Sequence, residues 1–212
     1  MPKGGGWILM QTLSSIQHII STWPARSRRM ADYLVEQYGM PHEATDSQII
    51  WHYNSPWKRT ILYRDGVPHN FPKAHLDILE QVVDYRIRPE KATDLLLFNG
   101  SILLDRTRGE MSACCGSERM NVLLLNQAHE IMGGRKTSEQ GRDEIINLMG
   151  TFRFHWLDTQ STELNFVPGY IRDQERDTAD PDMRGSQYLR QGLAYTREEE
   201  QEEVNAPPKY SH

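Results

Sequence analysis

The chain has 212 residues, a formal net charge of −5 and an apolar content of 38%. That length allows one domain of ordinary size with extensions, and a core of about 150 residues buries roughly 70% of its extended-chain surface without needing a disulfide or a metal. Basic and acidic residues nearly balance from Met1 to Tyr170, at 18 against 19, whereas Ile171–Glu203 holds 5 against 10, so no bulk positive field points to nucleic acid or to an anionic membrane surface.

Taken in order, Leu9, Leu13, Ile16 and Ile20 share one helical face and Trp23-Pro24 breaks the run. Polar residues interrupt this stretch well short of the ~18–20 apolar residues of a membrane span. Nor does it read as a signal peptide, so the expectation is a cytoplasmic protein without a membrane span. A second helix is predicted over Arg26–Tyr38, with Gly39 and Pro41 as its stop. Ile49, Trp51 and Tyr53, then Trp57, Arg59, Ile61 and Tyr63, alternate at period two about Asn54-Ser55-Pro56 and predict a hairpin closed off by Asp65-Gly66. Val67–Pro72 is expected to be an irregular elbow, with Pro72 opening an amphipathic helix that carries Leu76, Leu79, Val82 and Val83.

Leu95–Phe98 and Ser101–Thr107 about Asn99-Gly100 predict a further hairpin with a type I′ turn. Glu110–Cys115 reads as another strand. Ser117 caps a helix ended by Gly133-Gly134, and Thr137 with Gln140 forms a capping box for one more helix. Phe152, Phe154, Trp156 and Leu157 alternate like a last strand. Beyond about Thr159 charged residues and prolines dominate, with EEEQEE at Glu198–Glu203, and apolar residues are too sparse to offset ordering entropy.

The fold class expected is therefore α+β: antiparallel hairpins forming one sheet, with helices packed on one face. The organisation is an N-terminal helix or arm over 1–23, a core over 24–158 and an acidic arm over 159–212 that is disordered or ordered by a partner. From Met30 to Val67, the Tyr38-Gly39-Met40-Pro41 turn between a helix and a strand bearing Trp51 and Tyr53 resembles the small helix–hairpin domains of the BamE/SmpA type. The resemblance covers under a fifth of the chain. It implies a local fold and an association role and carries over no functional residue. Members of that family are lipoproteins, and no lipobox cysteine is present here. The central region is also similar to bacterial proteins of uncharacterised function.

For chemistry, His52, His69, His75 and Asp77 offer imidazole nitrogens and a carboxylate, donors that suit zinc or a similar divalent ion. The spacing from His69 to His75 matches no established metal motif. Cys114 and Cys115 are adjacent and usually would point apart, so they read either as reduced thiols or as a vicinal redox pair, and either could pair with His129 as a nucleophile and base. Arg26, Arg28 and Arg29, with Trp57-Lys58-Arg59, could touch a single-stranded nucleic acid, but the domain is not basic. The sequence has no Walker loop, no Gly-x-Gly-x-x-Gly, no Gly-x-Ser-x-Gly and no Cys-x-x-Cys. The first expectation is a non-enzymatic interaction module, an accessory subunit of a larger assembly or a homo-oligomer. Its anchors would be Trp7, Trp57, Tyr170, Tyr188, Leu189 and Tyr195. The alternative is a metal-dependent or acid–base enzyme centred on His69, His75 and Asp77, with a divalent metal as its cofactor.

Overall fold

Pro24 cannot continue a helix entered from its N-terminal side, and the chain turns there from a helical stretch at residues 16–21 into α1, Ala25–Tyr38. Gly39, at φ 77°, ends α1 in the left-handed region that glycine adopts without penalty. The chain then runs through β1 (Glu43–Ala44), β2 (Gln48–His52), β3 (Arg59–His69) and β4 (His75–Asp84). After a 3-10 turn at Pro89–Lys91 come α2 (Ala92–Phe98), β5 (Ile102–Asp105), β6 (Glu110–Cys115), α3 (Glu118–Met132) and α4 (Ser138–Gly150). This is a computed structural model, and it describes residues 16–150 and 162–169. Leu9 and Leu13, the alternating run at 152–157, and Trp7, Tyr170, Tyr188, Leu189 and Tyr195 lie outside the described residues.

The six strands form one antiparallel sheet in the order β1-β2-β3-β4-β6-β5. One face carries Ile49, Trp51, Leu62, Leu79, Val83, Met111, Ala113 and Ile102, all buried beneath the helices. The α+β class and the single-sided helix layer are as the patterning implied. Trp51 is wholly buried and its indole N–H donates to Gly39 O at 2.9 Å, which ties β2 to the end of α1. Ile16, Ile20 and Trp23 join this core beside Ala31 and Leu34 of α1. At the other end of the chain, Asn126 of α3 donates to Glu163 O and accepts from Asn165 N, and Leu164 and Phe166 pack on the core.

Three elements differ from expectation. β4 is a strand, not the helix predicted from Leu76, Leu79, Val82 and Val83. As a central strand flanked by β3 and β6 it is buried on both faces, so period two is lost and the surviving apolar positions mimic helical spacing. β3 does not stop at Asp65-Gly66 but shifts register between Leu62 and Val67 and continues to His69. Pro68 is tolerated there because β2 covers β3 only as far as Tyr63, leaving Pro68 on an open edge. Leu95–Phe98 lies in α2 rather than in a strand: Leu95 and Phe98 are buried while Leu96 and Leu97 are exposed. Asn99 has φ −156°, so no type I′ turn forms.

The other caps form as read. Ser117 Oγ accepts from Met120 N, and Thr137 and Gln140 exchange side-chain bonds to each other's backbone at 2.9 and 3.1 Å. Among the described residues no helix is long and apolar enough to cross a membrane.

Candidate metal centre

The extension of β3 and the strand character of β4 create the site. His69 and His75 are directly paired in register, closing a hairpin whose loop is residues 70–74. Opposed residues in an antiparallel pair carry Cβ atoms about 5 Å apart, and Asp77, two residues on, faces the same side. The two imidazoles stand with ring centroids 5.1 Å apart. The loop is anchored at its tip: Arg142 of α4 sits 3.8 Å above the Phe71 ring and donates to Phe98 O.

Atoms of His69, His75 and Asp77 that can bind a metal all lie within 4.8 Å of one another. His75 Nδ1 is 2.7 Å from Lys73 O. A carbonyl only accepts, so Nδ1 carries a proton and the neutral ring presents a lone pair at Nε2. That nitrogen is 2.9 Å from Asp77 Oδ1 and 3.2 Å from Cys115 Sγ. Asp77 is 6% exposed, and Oδ1 has no hydrogen-bond partner despite its nearness to His75. Its other oxygen, Oδ2, accepts from Ser101 Oγ at 2.5 Å and is 3.2 Å from His69 Nδ1. Asn99 Oδ1 accepts from Ser101 N at 2.8 Å, and this local turn holds the serine in place.

Nε2 and Oδ1 thus stand less than 3 Å apart without hydrogen-bond alignment, and a cation lying beside both would relieve their mutual repulsion when the ring is neutral. A metal ion fits the donor set. Zinc takes imidazole nitrogen and carboxylate oxygen at ~2.0–2.2 Å in tetrahedral geometry, which separates two donors by roughly 3.4 Å. Backbone capture of the second imidazole nitrogen, as at Lys73, is how metal-binding histidines are held in tautomer and orientation.

The remaining candidates are placed elsewhere. His52 takes no part in the cluster; its Nε2 is 2.5 Å from Glu43 Oε1 on the outer strands. His129 is not a partner of the cysteines: its Nδ1 meets Tyr85 Oη at 2.8 Å, its ring stacks on Phe166, and burial pushes its pKa down. Cys114 and Cys115 are both free and occupy successive positions of β6, so they face opposite sides of the sheet and form no vicinal pair. Burial pushes the Cys114 thiol strongly up and Cys115 up to about 11, the latter partly countered by the N–H groups of Gly116 and Ser117.

Trp57 is 2% exposed, with its indole N–H directed at Glu118 and Tyr38, so it is a core residue and not a surface anchor. Lys58 pairs with Asp84 and Glu110, and Arg59 grips Glu110 with two bonds, so neither charge is offered to a phosphate. Burial works against the charge on Glu110, yet these two cations outweigh it and hold its carboxyl down to about 2.

The sequence pattern does not reveal the role of Ser101, which it places at the start of a strand, or the position of Cys115 beside His75. The available signal was the loop itself: five residues between two histidines, read as a hairpin, would have placed them face to face. No family model, no curated protein and no solved structure matches this chain.

Proposed function

We propose that this protein binds a divalent transition-metal ion through His69, His75 and Asp77, and that this centre is where its function lies. The observation that carries the reading is the buried, unpartnered Oδ1 of Asp77 standing 2.9 Å from a His75 nitrogen whose proton is on the far side of the ring. Two imidazoles and one carboxylate favour zinc or a neighbouring first-row ion over magnesium or calcium, which prefer all-oxygen shells. An ion held by three protein donors can carry a water molecule and lower its pKa, the basis of metal-dependent hydrolysis and acid–base chemistry.

Thermal unfolding of chelator-treated protein tests the proposal. A ligand at 100 times its Kd stabilises the native state by about 2.7 kcal/mol. For a chain of this size that corresponds to a Tm rise of roughly 5–10 °C. The rise is expected with Zn2+ for the wild type and should vanish in His75→Ala. An unchanged wild-type Tm at saturating Zn2+ would discard the reading. An association role for the ends of the chain is a separate proposal, tested by light scattering on the full-length protein; no described residue favours it over the metal centre.

A further inference from the structure

The segment 162–169 is held against α3 in a manner unlike the rest of the fold. It has no helix or strand of its own, and its alternate residues turn inward. Leu164, Phe166 and Pro168 are half-buried, whereas Glu163, Asn165, Val167 and Gly169 are exposed, Val167 to 93%. None of these residues is fully buried, so the segment lies on the domain and not within its core.

The surface beneath it matches a peptide. Asn126, His129 and Glu130 share one face of α3 at helical spacing. The Asn126 carboxamide donates to Glu163 O at 3.0 Å and accepts from Asn165 N at 2.8 Å, bracketing Leu164 as a neighbouring strand would. This side chain is 5% exposed, and a buried carboxamide spent on backbone groups holds a peptide whatever its sequence. Selectivity comes from the side chains on either side of that bond pair. His129 and Tyr85 are joined by a 2.8 Å hydrogen bond with their rings at 88°. Phe166 fills the corner between them, stacked on His129 with centroids 4.7 Å apart and edge-on to Tyr85 at 5.3 Å. Leu164 packs against the core. Main-chain bonds combined with pockets for alternate side chains are the physics of peptide recognition.

We infer that this face of α3 is a recognition groove for a peptide in which a leucine and an aromatic residue stand two apart, and that residues 162–169 are a ligand tethered to its own receptor. The partner that fits is a protein chain that displays such a segment and displaces the tethered one. The groove is independent of the metal centre, since it uses none of His69, His75 and Asp77.

Fluorescence anisotropy of a labelled synthetic peptide, TELNFVPG, titrated with full-length protein tests the inference. Wild type carries a tethered copy at an effective concentration on the order of 1 mM, so it should bind the added peptide roughly tenfold or more weakly than the Leu164→Ala, Phe166→Ala double variant, whose own segment no longer fits. Adding Asn126→Leu to the double variant should abolish binding. Methylating the asparagine backbone nitrogen of the peptide should do the same with the protein unaltered. Equal binding to wild type and double variant would place the peptide elsewhere and overturn the inference. No binding by a folded double variant would also overturn it, because the contacts would then hold only within one chain. Should the double variant not unfold cooperatively, Phe166→Ala alone takes its place. Loss of folding there too would make the segment part of the core, with the same consequence.

Discussion

A carboxylate at 6% exposure with one oxygen lacking any donor is an energetic liability in the metal-free protein. The sign of its effect distinguishes a metal ligand from a simple ion pair. In Asp77→Asn the introduced amide can donate to His75 Nε2 while its carbonyl still accepts from Ser101. We therefore expect the metal-free variant to be more stable than the metal-free wild type by about 1 kcal/mol, and to lose the response to Zn2+. Chemical denaturation of both, with and without metal, measures this. A variant destabilised by 3 kcal/mol or more without metal would instead mark a buried imidazolium–carboxylate pair. Glu110 behaves in the opposite way, because its charge is fully matched by Arg59 and Lys58. Its folded pKa is depressed to about 2 from 4.5. The stability it contributes is present above pH 4.5 and is lost as pH falls towards 2. Glu110→Gln should cost about 3 kcal/mol at pH 7 and flatten the acid limb of the stability–pH curve.

At the scale of elements, the site depends on β3 continuing past its irregularity to set His69 opposite His75. Gly66 lies in that irregular stretch, where a Cβ would stand 2.6 Å from Ile78 Cγ2 and 2.9 Å from Leu76 Cβ. Gly66→Ala must therefore push β3 away from β4. A loss of about 1–3 kcal/mol is expected from overpacking, together with weaker Zn2+ binding, since His69 lies on the displaced strand and His75 on the one it leaves. Denaturant titration and zinc competition with a chromophoric chelator would show both; unchanged zinc affinity would mean the hairpin end is positioned by its Phe71–Arg142 anchor instead. The same region marks the limit of legibility in the sequence. The hairpin of β2 and β3, the capped helices α3 and α4 and strand β6 are all local decisions, made by alternation, Ser117, Gly133 and the Thr137–Gln140 pair. β4 and α2 are not. Burial of β4 on both faces erased its alternation, and the short run Leu95–Phe98 is helical because only Leu95 and Phe98 find the core. A helical reading of β4 leaves His69 and His75 out of register, so the chemistry of His69, His75 and Asp77 marks the residues but not their convergence.

For the molecule as a whole, the proposed centre draws on separate parts of the chain: His69 on β3, His75 and Asp77 on β4, and the Ser101 that holds Asp77. A cation bound there would tie the ends of β3 and β4 to each other and, through Ser101, to the loop between α2 and β5. Hydrogen exchange resolves this linkage spatially. On adding Zn2+, amides at residues 67–77 and around Ser101 should exchange more slowly, because opening either segment would then require release of the ion. The β1–β2 edge, whose His52 is engaged with Glu43, should change little. The control is built into the sequence: Glu198–Glu203 is an acidic run able to attract divalent ions without forming a site. Protection confined to that run, or spread evenly over the chain, would show adventitious binding and would remove the centre as the source of any zinc-dependent stability. Protection focused on the ends of β3 and β4 and on Ser101 would instead identify the ion as the element that holds the long hairpin closed.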